Sequence, residues 1–73
     1  MTEQELLSII ADSMDLEPAS LTKTAVLADF PEWDSLAMIS LIAMCSKKYG
    51  KLLNAREVKE QRTALDLLNL MQH

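Results

Sequence analysis

Between Asp34 and Gly50 the chain carries no glycine or proline, and this stretch limits the fold more than any other. Met38, Leu41, Ile42, Cys45 and Tyr49 recur within it at i, i+3, i+4, i+7 and i+11, the stripe of a helix that packs one face on a core. Asp34 is a favoured N-cap type, because its carboxylate accepts a hydrogen bond from a first-turn N–H that has no intrahelical partner. Lys47 and Lys48 complement the negative end of the helix dipole, and Gly50 suits the position after the last turn. A helix is predicted over about residues 35–49. Trp33, one residue before the cap, is placed to meet Met38 as a hydrophobic staple. Ser35 then falls in the first turn, where a group on its oxygen would project into solvent. A phosphodiester there would be stabilised by the dipole and the free N–H groups. Asp34 and Ser35 equally suit a plain helix cap.

The flanking segments read as further helices. Thr2 and Glu5 form a T-x-x-E capping box. Leu6, Leu7, Ile10 and Met14 follow at helical spacing with Ile9 beside them, while Glu3, Gln4, Ser8 and Asp12 take the outer side. This helix is predicted to end near Met14 or Asp15, before Pro18 disfavours its continuation. From Asp15 to Trp33 no period is sustained, and so long a connection in a compact domain is usually functional. Leu16, Leu21, Val26, Leu27 and Phe30 are expected to anchor it to the core, and Pro31 biases Phe30 toward an extended conformation. Asn54 followed by Glu57 predicts a short third helix through about Glu60. Thr63 is positioned to cap a last helix with Leu65, Leu68 and Met71 facing inward. The expected fold class is all-α, four helices around one core.

Length and charge narrow the function classes. With 73 residues, residues 1–73 are expected to form a single domain. The 49% apolar and 25% charged content belongs to a folded chain. A net charge of −4 without a basic stripe argues against nucleic acid and for basic protein partners. One cysteine, Cys45, allows no internal disulfide and fits a reducing compartment. No apolar run is long enough to span a membrane, and Met1-Thr2-Glu3-Gln4-Glu5 lacks the basic start of a signal peptide, so a soluble cytoplasmic protein is expected. Cys45 lies on the apolar stripe with no neighbouring histidine and reads as a buried inert thiol. His73, the only histidine, is the last residue, a poor place for a Ser-His-Asp mechanism or a metal ligand. Glu3, Glu5, Asp12, Glu57 and Glu60 read as solvated helix faces.

Asp34-Ser35-Leu36, midway along a short acidic helical chain, resembles the attachment site of the acyl carrier proteins. The order of parts is similar over roughly Glu3 to Met71. Ser13-Met14-Asp15-Leu16-Glu17-Pro18 resembles the family's first-helix end and turn, and Val26-Leu27-Ala28-Asp29-Phe30 the loop anchors before the serine. The resemblance implies an acyl-carrier-like four-helix bundle with a short third helix and a long loop between helices 1 and 2. It also implies that Ser35 carries 4′-phosphopantetheine, taken from coenzyme A by a phosphopantetheinyl transferase. The arm's thiol would hold acyl cargo for acyl-loading, elongating or transferring enzymes of fatty acid, polyketide or related specialised biosynthesis. On this reading the protein is a non-catalytic, monomeric, discrete carrier. Asp34 would present the serine and assist the transferase's Mg²⁺. Leu36 would be an exposed partner contact, or pack against Phe30 or Trp33. If cargo enters the bundle, Ile10, Ile39, Ile42 and Leu68 would line its cavity; ordinary core packing accounts for them equally.

Two departures stand out. Glu32 replaces the glycine usual two residues before the motif's aspartate. The second helix also lacks the acidic residues with which carriers of primary fatty acid synthesis engage basic partners. Ala37, Ser40, Ala43 and Met44 are expected to form a nearly neutral outer face, with Leu36, Ala37, Ser40 and Met44 as docking residues, which suits a dedicated carrier. A carrier of amino acids or peptides in nonribosomal synthesis, and an unmodified helical interaction module, remain the competing readings.

Overall fold

The computed structural model describes residues 2–72. Thr2 Oγ1 accepts the Glu5 N–H at 3.1 Å and opens helix α1, Glu3–Ser13. The Glu5 carboxylate in turn accepts from the Tyr49 hydroxyl at 3.3 Å, which ties the start of α1 to the end of α2. The helix ends in a Schellman motif. Leu16 N–H donates to Ala11 C=O at 2.9 Å and Asp15 N–H to Asp12 C=O at 3.0 Å, with Asp15 left-handed at φ 61°. Reversal at Asp15, rather than Pro18 alone, therefore sets the end of α1.

The predicted α2, Ser35–Tyr49, and α3, Ala55–Glu60, form with the expected caps. Asn54 Oδ1 accepts from Arg56 and Glu57, and Gly50 takes a left-handed φ of 65° after α2. Helix α4, Ala64–Gln72, opens with a reciprocal box in which Thr63 Oγ1 accepts the Asp66 N–H and Asp66 Oδ2 accepts the Thr63 N–H, both at 3.2 Å. The chain thus forms a four-helix bundle with a short third helix. Helix α1 packs on α2 and α4, and α2 also packs on α3.

The long connection between α1 and α2 is ordered by short-range turns and by pairing to a distant segment. Two single-turn 3₁₀ pieces occupy Pro18–Ser20 and Leu27–Asp29. Leu21 and Leu27 are buried, while Leu16 and Phe30 pack partly against the core. Phe30 is extended at φ −105°, ψ 113°, as Pro31 requires. Val26 is the expectation that fails as a side-chain anchor, since at 37% exposed it stays outside the buried core. Its segment is held through the backbone instead. Leu27 N–H donates to Arg62 C=O, Ala64 N–H to Ala25 C=O and Leu65 N–H to Lys23 C=O, all at 2.9–3.0 Å. Those bonds tie the loop to the α3–α4 connection as a one-bridge antiparallel pairing.

Two helices turn differently from expectation. In α4 the buried line is Ala64, Leu67, Leu68 and Met71, the i, i+3, i+4, i+7 set, and Leu65 is 42% exposed. In α2 the buried line is Ala37, Leu41 and Cys45, with Met38, Ile42 and Tyr49 half-buried on its shoulders. Ala37, expected on the outer face, is only 3% exposed. It precedes Leu41 by four residues, so it shares that residue's face, and its small side chain lets the start of α2 approach the bundle closely.

Candidate functional site

The start of α2 is shaped by the turn that precedes it. Trp33 N–H donates to Phe30 C=O and Asp34 N–H to Glu32 C=O, each at 3.0 Å, so the chain folds tightly over residues 30–34. Among the described residues only Asp15 and Gly50 have positive φ. Glu32 therefore occupies its place without the conformation that would call for glycine. Asp34 is extended, and its Oδ1 accepts the Ala37 N–H at 2.9 Å while its carbonyl accepts the Met38 N–H at 3.1 Å.

Those two bonds leave the amides of Ser35 and Leu36 without an intrahelical partner. The Ser35 side chain is exposed at the same end. An ester of phosphate on its hydroxyl would meet the positive end of a helix more than four turns long and two free N–H donors. Leu36 is 74% exposed, so its side chain points outward rather than packing closely on Phe30 or Trp33.

The remaining candidates separate by position around α2. Ser40 is exposed and Met44 half-buried, both on accessible flanks of the helix, whereas Ala37 is withdrawn into the core and offers a partner no side-chain surface. Ile39, expected to line an internal cavity, is instead 62% exposed. Ile10 and Leu68 lie within the packed core, and Ile42 is half-buried at its edge. Ile39 is an exposed apolar residue beside Leu36 on the outer side of α2. It lies about 160° around the helix from Leu41, a separation that a helical projection makes plain.

Other chemistry is poorly provided for. Cys45 is buried, and desolvation pushes its thiol above the ordinary range against a smaller opposing effect of Lys51. No group of His, Cys, Asp and Glu among the described residues is arranged to hold a metal ion. His73 lies outside the described residues.

An exposed hydroxyl at a capped helix start is a common arrangement by itself. Residues 4–71 match the family model described as the phosphopantetheine attachment site. The chain belongs to the phosphopantetheine attachment site family. No curated protein gives a match. Domains of this family are carriers that hold 4′-phosphopantetheine covalently and meet a phosphopantetheinyl transferase and partner enzymes. Among the described residues no helix is long and apolar enough to cross a membrane.

Proposed function

We propose that Ser35 carries the 4′-phosphopantetheine arm and that this protein is a discrete acyl carrier for fatty acid, polyketide or related specialised biosynthesis. The single observation that carries the assignment is the exposed Ser35 at the capped start of α2, beside two unpaired amides, within the span that matches the family. The arm supplies a terminal thiol that holds cargo as a thioester. The protein's own residues present it. Asp34 fixes the first turn through its 2.9 Å bond to Ala37 and so sets where the Ser35 hydroxyl projects. The Ser35 and Leu36 amides and the helix dipole stabilise the phosphodiester charge.

Modification is performed by a phosphopantetheinyl transferase. The Ser35 oxygen forms a bond to the β-phosphorus of coenzyme A, the phosphoanhydride bond breaks to release 3′,5′-ADP, and the serine proton passes to the transferase. The carrier itself catalyses nothing. A flexible arm raises the effective concentration of cargo in whichever partner site is docked, and weak docking then allows release.

Intact mass after incubation with coenzyme A, Mg²⁺ and a transferase tests the assignment. A gain of one phosphopantetheine is expected in the wild type and none in Ser35→Ala, whose stability should stay within about 0.5 kcal/mol because the residue is exposed. Failure of the folded wild type to gain mass with its host's own transferase would refute the assignment. Loading of the holo-protein with acyl but not aminoacyl groups by host extracts would support the cargo class.

A further inference from the structure

Helix α2 presents an outer face that is apolar and ends in a positive charge. Leu36, Ile39, Ala43 and Lys47 follow one another at i, i+3, i+7 and i+11, a strip about 16 Å long that starts beside Ser35. Leu36 and Ile39 are 74% and 62% exposed, and Ala43 and Lys47 are exposed as well. Large aliphatic side chains held this far into water usually mark a contact surface when they adjoin one another. No Asp or Glu lies between Ser35 and Tyr49. Lys48, although next in sequence, points elsewhere: it lines a groove with Glu5, Asp12 and Tyr49 between α1 and the end of α2. Lys47 alone therefore charges the outer strip.

The wider distribution of charge has the same sign. Residues 35–72 hold six basic side chains against Glu57, Glu60 and Asp66, a net of +3, whereas residues 2–34 hold eight acids against Lys23, a net of −7. The protein is acidic as a whole, yet the segment that contains the strip carries a net positive charge, and the exposed acids Glu32 and Asp34 lie only at its Ser35 end. A basic partner would find no carboxylate on this face and would meet Lys47 as a like charge.

We propose that the outer face of α2 docks a partner protein whose receiving surface is an apolar hollow rimmed by carboxylates. The hollow covers Leu36, Ile39 and Ala43, and the acidic rim meets Lys47 at the far end of the strip from Ser35. The inference rests on the carrier reading, because it makes this face the one presented to enzymes that receive the arm, but not on which residue is modified. A lipid surface fits less well: one lysine on the strip falls short of the basic cluster that anionic membranes recognise, and the overall charge of −4 opposes it.

The test uses the whole unmodified protein and two short amphipathic helical peptides with the same Leu/Ala face, one rimmed with Glu and one with Lys. The expected result is that the Glu-rimmed peptide shifts the amide resonances of Leu36, Ile39, Ala43 and Lys47 and binds more tightly than the Lys-rimmed one. Its binding should weaken as salt rises from about 50 to about 300 mM. Lys47→Glu should weaken it about two- to fivefold, Ile39→Ser about tenfold, and Lys48→Glu much less than Lys47→Glu. The proposal is overturned by equal binding of the two peptides, by binding of neither, or by resonance shifts that map elsewhere. It is also overturned by equal effects of Lys47→Glu and Lys48→Glu, by self-association that covers the strip, or by tighter binding to anionic vesicles than to the Glu-rimmed peptide. None of these outcomes depends on Ser35, so the mass measurement and this one fail independently.

Discussion

Removal of the Asp34 side chain should loosen the start of α2 by an amount that can be worked out. Asp34→Ala deletes the carboxylate that accepts the Ala37 N–H at 2.9 Å but keeps the backbone bond from Met38 to residue 34. One first-turn donor is orphaned, and loss of an N-cap of this kind costs about 1 kcal/mol. For 73 residues the total stability should be about 4–11 kcal/mol and the entropy of unfolding about 0.15 kcal/mol per kelvin. The cap thus represents about a tenth to a quarter of the whole, and its loss should lower Tm by about 6 °C. Asp34→Asn keeps an acceptor of the same reach and should cost about 0.5 kcal/mol or less. Thermal unfolding followed by circular dichroism reads both values, and the rate of phosphopantetheinylation reads the consequence at Ser35. Frayed geometry should slow modification in Asp34→Ala at temperatures where the fold persists. Equal Tm values for Asp34→Ala and the wild type, or equal losses in the Ala and Asn variants, would refute the claim that this bond holds the turn.

The two left-handed residues should respond in opposite directions. Asp15→Gly should relieve the strain of φ 61° and raise stability by about 0.5 kcal/mol, whereas Gly50→Ala, whose new Cβ would meet no atom within 4 Å, should lose about 1 kcal/mol through backbone strain alone; urea denaturation measures both. Cys45 gives a pH dependence: burial raises its pKa in the fold, so above the unfolded value of about 8.5 the unfolded state binds fewer protons than the native one and stability falls as pH rises. Urea midpoints at about pH 7 and about pH 9.5 should show a larger drop in the wild type than in Cys45→Ala, and a thiol reagent should label Cys45 only as fast as the protein opens.

Local chemistry was legible in the linear chain wherever a cap, a breaker and an apolar period coincided. Asp34 and Gly50 bracket α2, Asn54 opens α3 and Thr63 caps α4, and each acts, through a side chain or for Gly50 through a left-handed backbone, within a few residues of itself. Such short-range bonds depend on spacing alone, which also brought Ser35 to the head of its helix. The motif around it was readable for the same reason, since the match spans residues 4–71 in order. Rotation of each helix was not local. Ala37 turned inward and Ile39 outward because α1 and α3 together cover the Ala37–Leu41–Cys45 side of α2, and period counting favoured the larger Met38 and Ile42 for that place. Leu65, expected inward, was likewise left 42% exposed, while Leu67 is buried beside Leu68. Short-range spacing was enough to specify the four helices, their N-terminal caps and the serine at the start of α2. Only tertiary packing decided which apolar residues left the core to form the face beside it, because burial is a property of neighbours distant along the chain.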